Sequence, residues 1–195
     1  MPNYVYNSVN INGDPNQVSN IMKKLGMPNL LGNGESGTDG LNRFNFYNLV
    51  SPSDLDWYKE SENWYNWRIA NWGTKWNACD LEVDYDDVED INNITYRFST
   101  AWSPPIPIML ALIEYIVYNN IHVNMNWHYE EEQGWGGEYD YTPALGLQLV
   151  EEWDVPDSHE DCMLRRSYCW RCADGEELYP DCPGYNEQDE EDLES

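Results

Sequence analysis

Residues 94–129 read ITYRFST AWSPPIPIML ALIEYIVYNN IHVNMNWHY, and the fold is decided there. Ile94, Tyr96, Phe98 and Thr100 alternate with more polar neighbours, which is the period of a strand with one buried face. A helix starting near Pro105 keeps Pro105 and Pro107 inside its first turn, where N–H groups have no intrahelical partner. Met109, Leu112, Ile113 and Ile116 supply the apolar face of that helix, and Asn119-Asn120 suits its end. Ile121, Val123, Met125 and Trp127 then oppose His122, Asn124, Asn126 and His128, giving a second alternating strand.

On the N-terminal side, Val5, Asn7, Val9 and Ile11 alternate with Tyr4, Tyr6, Ser8 and Asn10, again as a strand. Asp14-Pro15 reads as the cap and first residue of a helix. Its apolar stripe is Val18, Ile21, Met22 and Leu25, and Gly26 stops it. Gly26, Gly32, Gly34, Gly37 and Gly40 mark a loop, and Leu41 to Val50 is expected to be a strand. Ser53 to Gly73 is a polar helical stretch broken near Ser61. Leu81, Val83 and Tyr85 alternate with Glu82, Asp84 and Asp86, predicting a strand with one acidic face. Gln133 to Gly137 reads as a turn and Leu145 to Trp153 as a returning strand. The order β-α-β, an insertion, then β-β-α-β-β predicts an α+β ferredoxin-like sandwich, with helices on one face of an antiparallel sheet. Residues 1–153 are expected to form that domain with its Trp-rich insertion. Residues 154–186 would be a Cys-rich loop module, and 187–195 an acidic tail.

Charge is unevenly spread. Residues 1–79 hold seven acids and six bases, a net of −1; residues 80–195 hold 29 acids and four bases, a net of −25. The total of −26 repels nucleic acid and anionic membranes, so groove binding by a basic face is excluded as the main activity. Aromatic residues make up 14% of the chain, which argues against general disorder. The longest apolar stretch, Ile106 to Tyr118, is too short to span a bilayer and contains Glu114. The opening MPNYVYNSVN lacks the basic and apolar regions of a secretory signal, which points to the cytosol and to reduced or metal-bound cysteines.

Trp72-Gly73-Thr74-Lys75-Trp76-Asn77-Ala78 and Phe98-Ser99-Thr100-Ala101-Trp102-Ser103-Pro104-Pro105, together with the opening MPNYVYNSVNINGDP, resemble the YubB-like ferredoxin-fold family of phages and plasmids. The resemblance covers roughly residues 1–150. It implies the fold and a mobile-element origin, and it implies no activity. The acidic segment and the Cys-rich segment depart from the family pattern, so specific function is expected there.

Cys162, Cys169, Cys172 and Cys182 crowd a segment with few apolar residues. Cys169-Trp170-Arg171-Cys172 presents two thiolates from one tight turn, as a tetrahedral zinc site requires. A structural zinc on these four is expected, with His159 able to replace Cys162; a disulfide or free thiols are the alternatives. His128-Tyr129-Glu130 with that C-x2-C resembles a zinc deaminase pattern, but Tyr168 stands where a proline is needed and His128 ends a strand. Cys79 is expected to be a small buried residue. Trp57, Trp64, Trp67, Trp72 and Trp76 are expected to pack rather than form a stacking platform, since Lys59, Arg68 and Lys75 are the only bases nearby.

No Gly-rich phosphate loop, Ser-His-Asp order or catalytic Cys motif is present in the sequence, so no enzyme is expected. The expected function is that of an acidic decoy, of the anti-CRISPR or anti-restriction type. It would occupy the nucleic-acid groove of a basic host defence or DNA-processing complex in the host cytoplasm. The expected partner-binding carboxylates are Asp80, Glu82, Asp84, Asp86, Asp87, Glu89 and Asp90, and Glu130, Glu131, Glu132, Glu138 and Asp140. The alternative is a non-catalytic protein-interaction module whose zinc-stabilised loop docks a partner while the charge only solubilises. Elemental analysis of untagged protein tests the metal: about one zinc per chain is expected. Zinc far below that ratio, with four titratable thiols in the folded state, would contradict it.

Overall fold

The computed structural model describes residues 3–27, 44–60, 62–86 and 90–155. Their centre is the strand β1, Tyr4–Gly13. It pairs antiparallel on one side with β3, Asn93–Ala101, and on the other with β4, Val123–Glu131. β2, Cys79–Tyr85, lies outside β3, while β5, Gly136–Thr142, and β6, Gly146–Trp153, extend the sheet beyond β4. The order is β2-β3-β1-β4-β5-β6. Its first four strands have the split β-α-β arrangement of a ferredoxin-like α+β fold, as the residue pattern predicts, and the last hairpin is an addition to one edge.

The inward face of the sheet is apolar because the strand period puts Val5, Val9 and Ile11, Ile94, Tyr96 and Phe98, and Val123, Met125 and Trp127 on one side. Two helices cover it. In α1, Pro15–Gly26, the Asp14 carboxylate accepts from the Asn16 amide at 3.0 Å, and Val18, Ile21, Met22 and Leu25 are buried. In α4, Ile106–Tyr118, the two prolines sit at the N-terminus as expected and Ile108, Met109, Leu112 and Ile116 are buried. Among the described residues no helix is long and apolar enough to cross a membrane.

One inward position is polar. Asn7 is 3% exposed in the middle of β1. Its amide nitrogen donates to the Val5 carbonyl at 3.0 Å and to the Thr100 hydroxyl at 3.2 Å, and its oxygen accepts from the Trp127 indole at 3.2 Å. These bonds join β1 to both neighbours and satisfy the buried amide.

Two expectations need correction. Leu41 to Val50 was expected as a strand, but residues 46–48 form a short 3-10 helix. Asn45 caps it, accepting from the Tyr47 amide at 3.1 Å, and Asn77 accepts from the Phe46 amide at 2.9 Å while donating to Asn45 at 3.0 Å. This amide pair meets locally the hydrogen bonds that a strand would need from a ladder. Conversely, Gly136-Gly137 does not turn the chain but opens β5. A Cβ at Gly136 would stand 2.8 Å from the Trp153 ring, and one at Gly137 would stand 2.7 Å from the Tyr129 hydroxyl, so the glycines admit two aromatic side chains.

The insertion forms α2, Leu55–Lys59, and α3, Asn63–Trp72, with the break at the expected place. Gly73, at φ 76°, ends α3. Trp72 is fully buried and its indole donates to the Val50 carbonyl at 3.1 Å, so the packing reading holds for it. Trp76 is partly buried against Tyr4, and Trp57 is 46% exposed. Cys79 is partly rather than fully buried, its thiol donating to the Asn77 carbonyl at 3.3 Å.

The buried amide gives a direct test. Asn7→Leu leaves the Trp127 indole unpaired and is expected to cost about 1–3 kcal/mol in chemical denaturation. Adding Trp127→Phe removes the orphaned donor, so the second change should cost less in the Asn7→Leu background than in the native chain. Equal costs in both backgrounds would show that the two side chains are not coupled.

Candidate functional site: an acidic open sheet face

The same alternation that buries the apolar residues sends the remaining ones to the opposite face. No described helix lies on it. Glu82 and Asp84 come from β2, Glu130 from β4, Glu138 and Asp140 from β5, and Glu151 from β6. Among the described strand residues, the cationic side chain on this face is Arg97, which pairs with Asp84, and the imidazole of His128 lies on the same face. The Arg97–Asp84 pair is more than half exposed on both sides, so it contributes little stability, and it offsets one of the face's negative charges.

The other outward positions are largely amides, and they form a network. Asn10 donates to Asn93 and to Thr95, both at 2.8 Å, and Asn124 donates to Asn12 at 3.3 Å. Asn126 donates to Glu138 at 2.6 Å and to Asp140 at 2.9 Å. The last two bonds fix both carboxylates of β5 in place and leave each of them acceptor capacity.

At one end the face deepens into a groove of about 610 Å³, with Asp80 and Glu82 opposite Glu130 and Glu132 across Tyr6 and Arg97. Asp80 reaches it through a bulge between Cys79 and Glu82, where its φ is 51°. Asp is among the few residues that tolerate this conformation. The structure thus brings together two acidic clusters about fifty positions apart in the chain. Glu131 behaves differently. It is 2% exposed, and its carboxylate accepts from Asn3 and from the Gln133 amide, both at 2.6 Å, so it closes the turn after β4. Asp86 accepts from the Asn93 amide at 3.3 Å in the β2–β3 turn, and Asp90 is exposed in that turn. Asp87 and Glu89 lie outside the described residues, as do His159, Cys162, Cys169, Cys172 and Cys182. Among the described residues no group of three or more His, Cys, Asp or Glu is placed to hold a metal.

The shifted protonation equilibria belong to tyrosines on the inward side. Burial pushes the Tyr96 hydroxyl up. Burial first, then Tyr139 and Glu152, do the same to Tyr129, whose hydroxyl donates to Glu152 at 3.3 Å. Tyr139 moves the same way, by burial and then by Glu152. Each shift moves the phenol further from titration near neutrality.

Sequence reasoning missed Glu151, because the missed strand β5 hid its partner. Glu138 and Glu151 lie directly opposite each other on β5 and β6. Like charges so placed destabilise a sheet. Glu151→Gln is therefore expected to raise stability by about 0.2–1 kcal/mol in low salt, and less in high salt. A fall in stability would show that the two carboxylates are not in repulsion.

No curated protein and no solved structure matches the chain. Residues 71–160, which span β2 to β6 and α4, match the family described as the ferredoxin-like domain in Api92-like protein. Family match and strand order agree on a ferredoxin-fold family.

Proposed function

We propose that the chain is a non-catalytic binding protein whose open acidic face takes the place of nucleic acid on a basic partner. The observation that carries this reading is the set Glu82, Asp84, Glu130, Glu138, Asp140 and Glu151 on one sheet face with no described helix on it. Six strands at about 4.8 Å spacing span about 24 Å, with two of these carboxylates on β2, four on β4 to β6, and none on β3 or β1 between them. A single nucleic-acid strand carries one charge per about 3.4 Å and a duplex one per about 1.7 Å. The sheet therefore imitates two patches of phosphate about 14 Å apart rather than an evenly spaced strand. Pre-organisation by Asn126 limits the freedom lost on binding. The like-charge pair Glu138–Glu151 is consistent with this use, since a cationic partner relieves a repulsion that the free protein tolerates.

The finer features follow as parts of the same reading. A YubB-like mobile-element origin would place the protein in a host cytoplasm. The targets would be nucleic-acid-binding complexes of host defence or DNA processing, such as a CRISPR effector or a restriction enzyme. Zinc on Cys162, Cys169, Cys172 and Cys182 would staple residues 154–186 and take no part in chemistry.

Capture from host lysate, followed by competition, tests the proposal. The captured protein should be a basic nucleic-acid binder, should release steeply as salt rises, and should be displaced by its own nucleic acid. Changing Glu82, Asp140 and Glu151 to Lys should slow association about tenfold or more, while the same change at Asp54 and Asp56 on α2 should not. Deleting Glu187 to Ser195 is the control for generic charge. A partner that binds with its nucleic acid still in place, or that ignores the face variants, would overturn the reading.

A further inference from the structure

The chain has a second, chemically opposite site on its nearly neutral half. Between the 3-10 helix, α2, α3 and the turn before β2 lies a pocket of about 390 Å³. Its described lining is Tyr47, Tyr58, Lys59, Trp64, Arg68, Lys75 and Trp76: four aromatic rings, three bases and no acid. Seven residues drawn at this chain's composition would hold about one acid and fewer than one base. The inversion is therefore local and specific.

The pocket is built rather than incidental. Arg68 is 7% exposed, and its guanidinium lies 5.2 Å from the Trp64 ring centre and 4.9 Å from that of Trp72. Its Nε donates to the Tyr58 hydroxyl at 3.0 Å and its Nη1 to the Lys75 carbonyl at 3.2 Å. One side chain thus ties α2, α3 and the turn around the cavity. Lys75 is held from outside. Its ammonium lies 5.3 Å from the Trp102 ring centre and 5.8 Å from that of Tyr65. Trp102 has φ 68°, a conformation rare for a bulky residue, and strain of this kind gathers at functional sites.

The two motifs singled out in the sequence make this arrangement. The Thr74 hydroxyl donates to the Ala101 carbonyl at 2.9 Å and accepts from the Ala101 amide at 3.1 Å, and Ser103 bonds the Gly73 carbonyl. Segments 72–78 and 98–105 are thereby joined side by side, with Lys75 and Trp76 turned to the pocket.

We propose that this pocket binds a nucleoside monophosphate, its base stacked on Trp64 or Trp76 and its phosphate met by Lys59 and Lys75. Planar indole faces suit any nucleobase, and the two lysines of the lining, on long flexible stems, suit a compact dianion. The volume lies in the range of small-ligand sites. The proposal stands independently of the acidic face.

Titration calorimetry of the full chain with adenosine monophosphate, adenosine and inorganic phosphate is the test. One saturable site is expected for the nucleotide, with adenosine and phosphate each weaker by about tenfold or more, as befits a ligand that uses both halves of the pocket. Tryptophan fluorescence should be quenched by the nucleotide and not by phosphate. Lys59→Met with Lys75→Met should weaken nucleotide binding by about tenfold or more. Lys59→Met alone, at an exposed helix end, should weaken it in the same direction and keeps the result readable if the pair unfolds. No saturation at millimolar nucleotide would overturn the proposal, as would adenosine or phosphate binding as tightly, or binding unchanged in Lys59→Met.

Discussion

The register of β1 is the constraint on which the rest depends. β1 is hydrogen-bonded on both sides, so one slip would turn the faces of three strands at once. Val5, Val9 and Ile11 favour the native face by burial alone, but burial is tolerant of exchange among apolar residues. Asn7 is not tolerant. Only with Val9 opposite both Tyr96 and Trp127 does the Asn7 amide meet Thr100 on one side and the Trp127 indole on the other. A buried amide adds little net stability when satisfied and costs much when it is not, which makes it a selector of register.

From that register the acidic face follows geometrically. With the apolar set inward, the amides and carboxylates of β1, β3, β4 and β5 have no other side to occupy. The face is rigid because it is the back of a packed core and because its amides bond across strands. The aromatic and basic pocket depends on a different junction, where Thr74 and Ser103 join the insertion to the end of β3. The described residues therefore present two surfaces of opposite character.

Much of this was legible in the residues. Asp14-Pro15 and the stripe from Val18 to Leu25 specify α1, and the alternation from Val123 to Trp127 specifies β4, because cap chemistry and period act locally. Residues 41–50 misled because the alternation of Phe44 and Phe46 reads as a strand, while the deciding bond comes from Asn77, thirty-one positions away from Phe46. β5 was hidden because glycine signals a turn unless the rings of Tyr129 and Trp153 are known to need the space. Of the candidate carboxylates, Glu82, Asp84, Glu130, Glu138 and Asp140 share the open face, whereas Glu131 serves a turn. The period of β4, continued from Val123, Met125 and Trp127, turns Glu131 inward and leaves Glu130 outward. Glu151 is a product of long-range pairing, whereas Lys59, Arg68 and Lys75 are near neighbours in the sequence and the fold adds their shared pocket.

Carboxylate footprinting measures the central claim most directly. Carbodiimide coupling labels exposed acids one by one, and mass spectrometry reads each site in the free protein and in the complex captured from host lysate. Glu82, Asp140 and Glu151 are exposed on the open face, while Asp54, Asp56 and Glu114 are exposed on helices. The account predicts that the first three lose most of their labelling in the complex and that the second three keep theirs. Protection of the helix acids with the sheet acids still fully labelled would contradict it.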